Sequence, residues 1–135
     1  MTDLFTAIMT RYNSEDGTAL RALLTGGLHH LQAPQDTSYP YGIFFLVSDV
    51  PVHAFGGKVG ESTLIQFNLF SDEPSAADLC NIYEAVKNLY DWCTLTYGDD
   101  PDYEHVYMKR EFANLLKVED VWQYAVEYRI LLDKL

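Results

Sequence analysis

The sequence predicts an α+β fold in one domain, residues 1–135, with an antiparallel or mixed β-sheet packed by an N-terminal helix and one long central helix. Three observations lead there. Residues 2–13 and 75–91 place apolar side chains three and four apart, the period of an amphipathic helix. Residues 62–71 and 121–132 alternate at period two, as half-buried strands do. The strands are joined at hairpin spacing with the helices segregated at one face, which gives an antiparallel or mixed sheet. At 135 residues and 48% hydrophobic, the chain has the length of one domain and buries roughly two thirds of its unfolded surface.

The first helix is capped by Thr2 or Asp3 and puts Leu4, Phe5, Ile8, Met9 and Tyr12 on one stripe. Asn13-Ser14-Glu15-Asp16-Gly17 breaks it, and a shorter helical turn with Leu20, Leu23 and Leu24 ends at Gly26-Gly27. Residues 28–32 form a short strand, followed by a loop bracketed by Pro34 and Pro40, each of which disfavours helix just before it. Residues 42–50 are a continuous apolar run rich in β-formers, the pattern of a strand covered on both faces. Pro51 and the glycines at 56, 57 and 60 turn residues 52–61 into an extended hairpin arm. The returning strand carries Thr63, Ile65, Phe67 and Leu69 on one face and Ser62, Gln66 and Asn68 on the other.

Pro74 and the capping-box-like Ser75-Ala76-Ala77-Asp78 open the central helix, whose buried stripe is Leu79, Ile82, Tyr83, Val86, Leu89, Tyr90 and Cys93. Residues 98–102 make an acidic turn, 106–112 a strand, and 117–120 the turn into a last strand. That strand faces the core with Trp122, Tyr124, Val126, Tyr128, Ile130 and Leu132.

Twenty acidic against nine basic residues give a net charge of −11. Nine of the acids and one base, Lys87, fall between Ser71 and Glu104. Such a surface repels phosphate, so sequence-driven nucleic-acid binding is disfavoured and a solvated acidic face is expected. Cys80 and Cys93 lie about 20 Å apart along one helix and its exit, too far for a disulfide, and free thiols suit a reducing cytosol. Core packing is expected of Cys80 and greater access of Cys93. The N-terminus lacks a basic leader and no apolar run reaches membrane-spanning length, so a soluble protein with no membrane role is expected.

Tests for chemistry return little. His29 and His30 are adjacent and point to opposite faces of a strand, while His53 and His105 sit in separate segments, so no metal-ligand spacing arises. Gly56-Gly57-Lys58-Val59-Gly60-Glu61-Ser62 lacks the spacer, the Ser or Thr after lysine, and the following helix of a phosphate loop. Asp99-Asp100-Pro101-Asp102 lacks the ligand alternation of an EF-hand. Neither cysteine has a histidine beside it in sequence, and the acids cluster in turns where water equalises them. The expectation is a non-enzyme with no catalytic, cofactor-binding or metal residues. Tyr39, Tyr41, Phe55, Tyr97, Tyr103 and Tyr107 fall at strand ends, loops or the arm, where tyrosine suits protein–protein contact.

The glycine stop at Gly26-Gly27, the short strand ending Ala33-Pro34-Gln35 and the Tyr39-Pro40-Tyr41 lead into an apolar strand form a distinctive run. With the Leu64-Ile65-Gln66-Phe67-Asn68-Leu69-Phe70-Ser71 strand, the helix after it and a closing Tyr128-Arg129-Ile130, the chain resembles tail-completion (tail-terminator) proteins of long-tailed bacteriophages. The resemblance implies a structural subunit of a six-fold ring that caps the tail tube, ends its polymerisation and offers its other face to the head. Implied partners are further copies of itself, the tail-tube protein and the head–tail connector protein, with DNA passing non-specifically through an acidic lumen. Implied locations are the virion tail or neck and, during assembly, the bacterial host cytoplasm. Ring closure uses heterologous contacts, and the subunit-interface candidates are His53, Phe55 and Lys58 on the arm with Tyr39 and Tyr41. A head-closure or tube subunit shares that assembly logic. The contrasting reading is a small cytosolic ligand-binding protein or enzyme with a pocket under the aromatic residues.

Overall fold

The structure is a computed structural model that describes residues 2–54, 57–96 and 103–134. Helix α1 (Thr2–Asn13) leads through a 3-10 turn (Glu15–Gly17) into α2 (Thr18–Leu23). Strands β1 (Leu28–His30), β2 (Tyr41–Ala54) and β3 (Gly57–Ser71) follow. Then come α3 (Ala77–Tyr90), β4 (Tyr103–Val118) and β5 (Val121–Lys134). The five strands form one sheet in the order β1-β2-β3-β5-β4. β1 pairs with β2 in parallel and every other pair is antiparallel, so the sheet is mixed and the α+β expectation holds.

Period-two patterning sets which face each strand buries. Ile65, Phe67 and Leu69 on β3 and Val126, Tyr128 and Ile130 on β5 are fully buried, facing α1 and α3 in one core with Phe44 and Met108. Phe67 is the hub, its ring centroid 5.8 Å from Phe44, 5.0 Å from Tyr90 and 5.8 Å from Tyr128. The Tyr90 hydroxyl donates to the Ile8 carbonyl at 3.0 Å and Arg11 Nε donates to the Leu89 carbonyl at 2.7 Å, so α1 is tied to α3 by directional bonds as well as packing. Each satisfies a polar group that burial would otherwise penalise.

Several boundaries differ from the sequence reading. α3 begins at Ala77 with Ala76 as its cap and no side-chain cap, because Ser75 Oγ accepts the Ala77 N–H in a local turn instead of reaching further along the helix. β4 is longer than residues 106–112, since hairpin pairing with β5 runs from Tyr103↔Lys134 to Val118↔Val121. Cys80 is exposed, against the expectation of core packing, because position 80 lies off the apolar stripe. Cys93 is buried, as its place on the stripe implies and against the greater access expected of its thiol, because the chain folds back after α3 onto Met108. Burial pushes the Cys93 thiol up from 9.0 to about 11.

The expectation that β2 is covered on both faces is also corrected. The helices lie on one face, and Leu46, Val47 and Val50 are 37%, 45% and 53% exposed. Their apolar run reflects an open margin of the sheet. Residues 52–54 pair with 57–60 across a register shift between Val52 and His53, and β5 joins β3 only from Gly60 onward, so among the described residues the expected hairpin arm is a two-stranded extension of the sheet.

Candidate functional site

Among the described residues, two margins of the sheet, its helix-free face and a groove beside α1 lie outside the core. β1 covers β2 only over Gly42, Ile43 and Phe44, so among the described residues no strand lies on the outer side of β2 beyond them. At the opposite margin the outer side of β4 receives the Trp92 N–H on the Met108 carbonyl at 2.7 Å. From Lys109 to Val118 it has no strand partner among the described residues. Unpaired edges offer a row of backbone donors and acceptors to another chain. Both margins also expose apolar side chains, Val50 on β2 and Phe112 (53%) and Val118 (58%) on β4. Register shifts near Val47 and between Arg110 and Phe112 twist these edges without hiding them.

The helix-free face of the sheet is half-buried and mixed in character. Arg129 pairs with Glu111 at 3.3 Å and donates to Ser62 Oγ at 3.2 Å, and Gln66 donates to Asn68 Oδ1 at 2.7 Å. At one end of this face Tyr39, Tyr41 and Phe70 make an aromatic ladder with centroids 5.4 Å and 5.1 Å apart. Partial burial raises the Tyr41 hydroxyl's pKa, aided by neighbouring Tyr39. The Tyr39–Pro40 peptide is cis.

The interface residues expected from sequence do not converge. Tyr39 and Tyr41 stand at the start of β2, while exposed His53 stands near its end, paired with Lys58 of β3. Twelve strand residues separate Tyr41 from His53, about 40 Å at 3.3 Å each, so the two groups belong to different regions. Phe55 lies outside the described residues, as do Tyr97 and the acidic segment 98–102.

The groove has a volume of about 860 Å³ and runs along the outer side of α1, with Phe5, Met9, His30 and Phe44 as its floor and Thr6 and Thr10 on its rim. The His30 ring lies between Phe5 at 4.1 Å and Phe44 at 5.0 Å, and so serves as an aromatic wall. Titratable groups do not converge there, and among the described residues no three His, Cys, Asp or Glu side chains lie where they would hold a metal ion.

Sequence reasoning missed Trp92. It is 69% exposed, the most exposed large apolar side chain among the described residues, with its ring T-shaped against Tyr107 at 5.9 Å. Its backbone φ is +56°, at the position just past a helix end where glycine is usual. The available signal was its absence from the buried stripe that includes Leu89, Tyr90 and Cys93.

Behind that corner an ionic network fixes α3 to the sheet. Asp91 accepts from the Tyr128 hydroxyl at 2.6 Å and pairs with Arg110 at 3.2 Å, and Arg110 also donates to the Tyr83 hydroxyl at 2.6 Å. Burial, and then the bond to Asp91, push the Tyr128 hydroxyl far above its usual range. A satisfied network of this kind supports structure.

No protein-family model and no curated protein matches this chain. Solved structures do. A chain from the virion of a native gene transfer agent (GTA) particle superposes with a TM-score of 0.79 at 15% sequence identity, covering 98% of this chain and 96% of that one. At that identity the match establishes a shared fold over nearly the whole length of both chains.

Proposed function

We propose that this protein is a structural component of a phage or prophage particle, and more specifically a tail-completion protein that caps the tail tube as a ring. The observation that carries the reading is the near end-to-end match in fold to a virion chain. The resemblance of its Ala-Pro-Gln and Tyr-Pro-Tyr punctuation to tail terminators agrees with it. The two open margins supply a mechanism. They lie at opposite ends of one sheet, so a copy offering its β4 margin to the next copy's β2 margin makes a head-to-tail contact. Contacts of that type close into rings when the rotation permits. One face of such a ring matches the last turn of the tube; the other does not copy that surface, so growth ends. The excess of acids would let DNA pass without sticking.

The test is to add the purified protein to self-polymerising tail tubes and measure tube length by electron microscopy. Capping shortens the tubes as the protein-to-tube ratio rises. Unchanged lengths at several-fold molar excess over tube ends would overturn the reading.

A further inference from the structure

We infer that Trp92 is a knob that inserts into the α1 groove of a neighbouring copy of this chain. The inference rests on the proposed ring and names the side chains that lock it. Trp92 and the groove sit at opposite margins of the molecule. Trp92 abuts the outer edge of β4 through its bond to Met108, whereas the groove is floored by His30 of β1 and Phe44 of β2. A copy approaching with its β4 margin toward the next copy's β2 margin therefore brings knob to groove, and each molecule has one of each. The contact is heterologous.

The knob is preorganised. Its N–H is held by Met108, its ring rests on Tyr107, and the turn beneath it is fixed by the Asp91 N–H on the Lys87 carbonyl and the Cys93 N–H on the Tyr90 carbonyl. A side chain in left-handed backbone, at a position that suits glycine, is unfavourable for the isolated chain. In the monomer the ring makes an edge contact with Tyr107 and stays 69% exposed. The groove offers what an indole requires: two phenylalanine rings, a histidine ring and a polarizable thioether, with threonine hydroxyls on the rim to accept from the indole N–H. Its volume of about 860 Å³ is ample for one aromatic side chain.

Two variants separate the halves of the contact. Trp92→Gly removes the knob at a site whose backbone glycine favours, and Thr10→Arg fills the rim of the groove from an exposed helix position. Sedimentation of the full chain over a wide concentration range is expected to show assembly of the unaltered protein. Each variant alone should associate about 30-fold more weakly or worse, as loss of an aromatic anchor does. An equimolar mixture should give a dimer and nothing larger, because it contains one intact knob–groove pair. Trp emission of the unaltered protein should shift to the blue as it assembles.

Assembly of Trp92→Gly with unchanged affinity overturns the knob while leaving the ring. Two monomeric variants whose mixture stays monomeric overturn the head-to-tail contact. A monomeric unaltered protein that still shortens tail tubes overturns the inference and leaves capping intact; one that is monomeric and leaves tubes unchanged sinks both.

Discussion

Tyr90→Phe tests whether α1 and α3 are joined by a hydrogen bond of real net value. The ring is fully buried against Phe67 and Tyr128, and phenylalanine retains those contacts. What is lost is the hydroxyl that donates to the Ile8 carbonyl at 3.0 Å. That carbonyl lies inside α1, where the helix supplies it with a second donor four residues on, so removing the hydroxyl leaves no orphan acceptor. The cost is therefore the net worth of one buried hydrogen bond, about 1 kcal/mol, and not the larger penalty of a stranded group. With a urea m-value of about 2 kcal/mol per molar, the unfolding midpoint should fall by about 0.5 M at unchanged slope. Far-UV circular dichroism in urea measures it. A midpoint equal to or above that of the unaltered protein refutes a favourable bond. A loss near 3 kcal/mol refutes the claim that Ile8 keeps its helical partner.

Two glycines in the sheet should respond differently to alanine. A Cβ at Gly60 would lie 2.2 Å from the Leu132 carbonyl oxygen, so the backbone must move and the cost should reach about 3 kcal/mol, whereas at Gly42 it would meet the side-chain ends of Leu69 and Leu28 at 3.1 and 3.2 Å and cost under about 1.5 kcal/mol, by the same urea assay. Burial lowers the His105 pKa below 6.5 while its Nε2 faces the Cys93 carbonyl. The unfolded chain therefore takes up that proton first, and stability should fall as pH drops through 6.5; the fall should be smaller in His105→Gln. Burial raises Cys93 from 9.0 to about 11, so the unfolded thiol ionises first and stability should fall as pH rises from 9 to 11, less so in Cys93→Ala, as thermal midpoints across that range would report. Phe112→Asp on the open margin of β4 should leave the urea midpoint within about 0.5 kcal/mol of the parent while weakening self-association in sedimentation.

The fold was legible because burial imposes a period. β3 and β5 alternate cleanly since one face is packed under helices and the other is not, and every residue on the expected α3 stripe is buried. β2 misled for the same reason in reverse. Its apolar run looks like a strand enclosed on both sides, yet Leu46, Val47 and Val50 are exposed at a margin. Composition registers that a side chain seeks to leave water and is silent on whether its cover comes from the same chain or another. The α3 start slipped by two residues because Ser75 satisfied a nearer N–H than the capping pattern implied.

The interface candidates Tyr39 and Tyr41 stand at one end of β2 and His53 and Lys58 at the other end of the β2–β3 pair, so they make two separate patches, a separation that residue type and proximity to Pro or Gly do not encode. Trp92 went unnoticed because it adjoins a correctly identified helix and breaks no pattern except its own stripe. A residue of that size in left-handed backbone raises the free energy of the lone molecule, and folding alone gives no reason to keep it. Its exposure and its strain are what the inferred contact with a second copy would offset. If Trp92→Gly unfolds at the same or higher urea concentration than the unaltered monomer, that strain is real and its compensation lies outside the fold. A clear loss of monomer stability would mean instead that the indole already does its work within the chain.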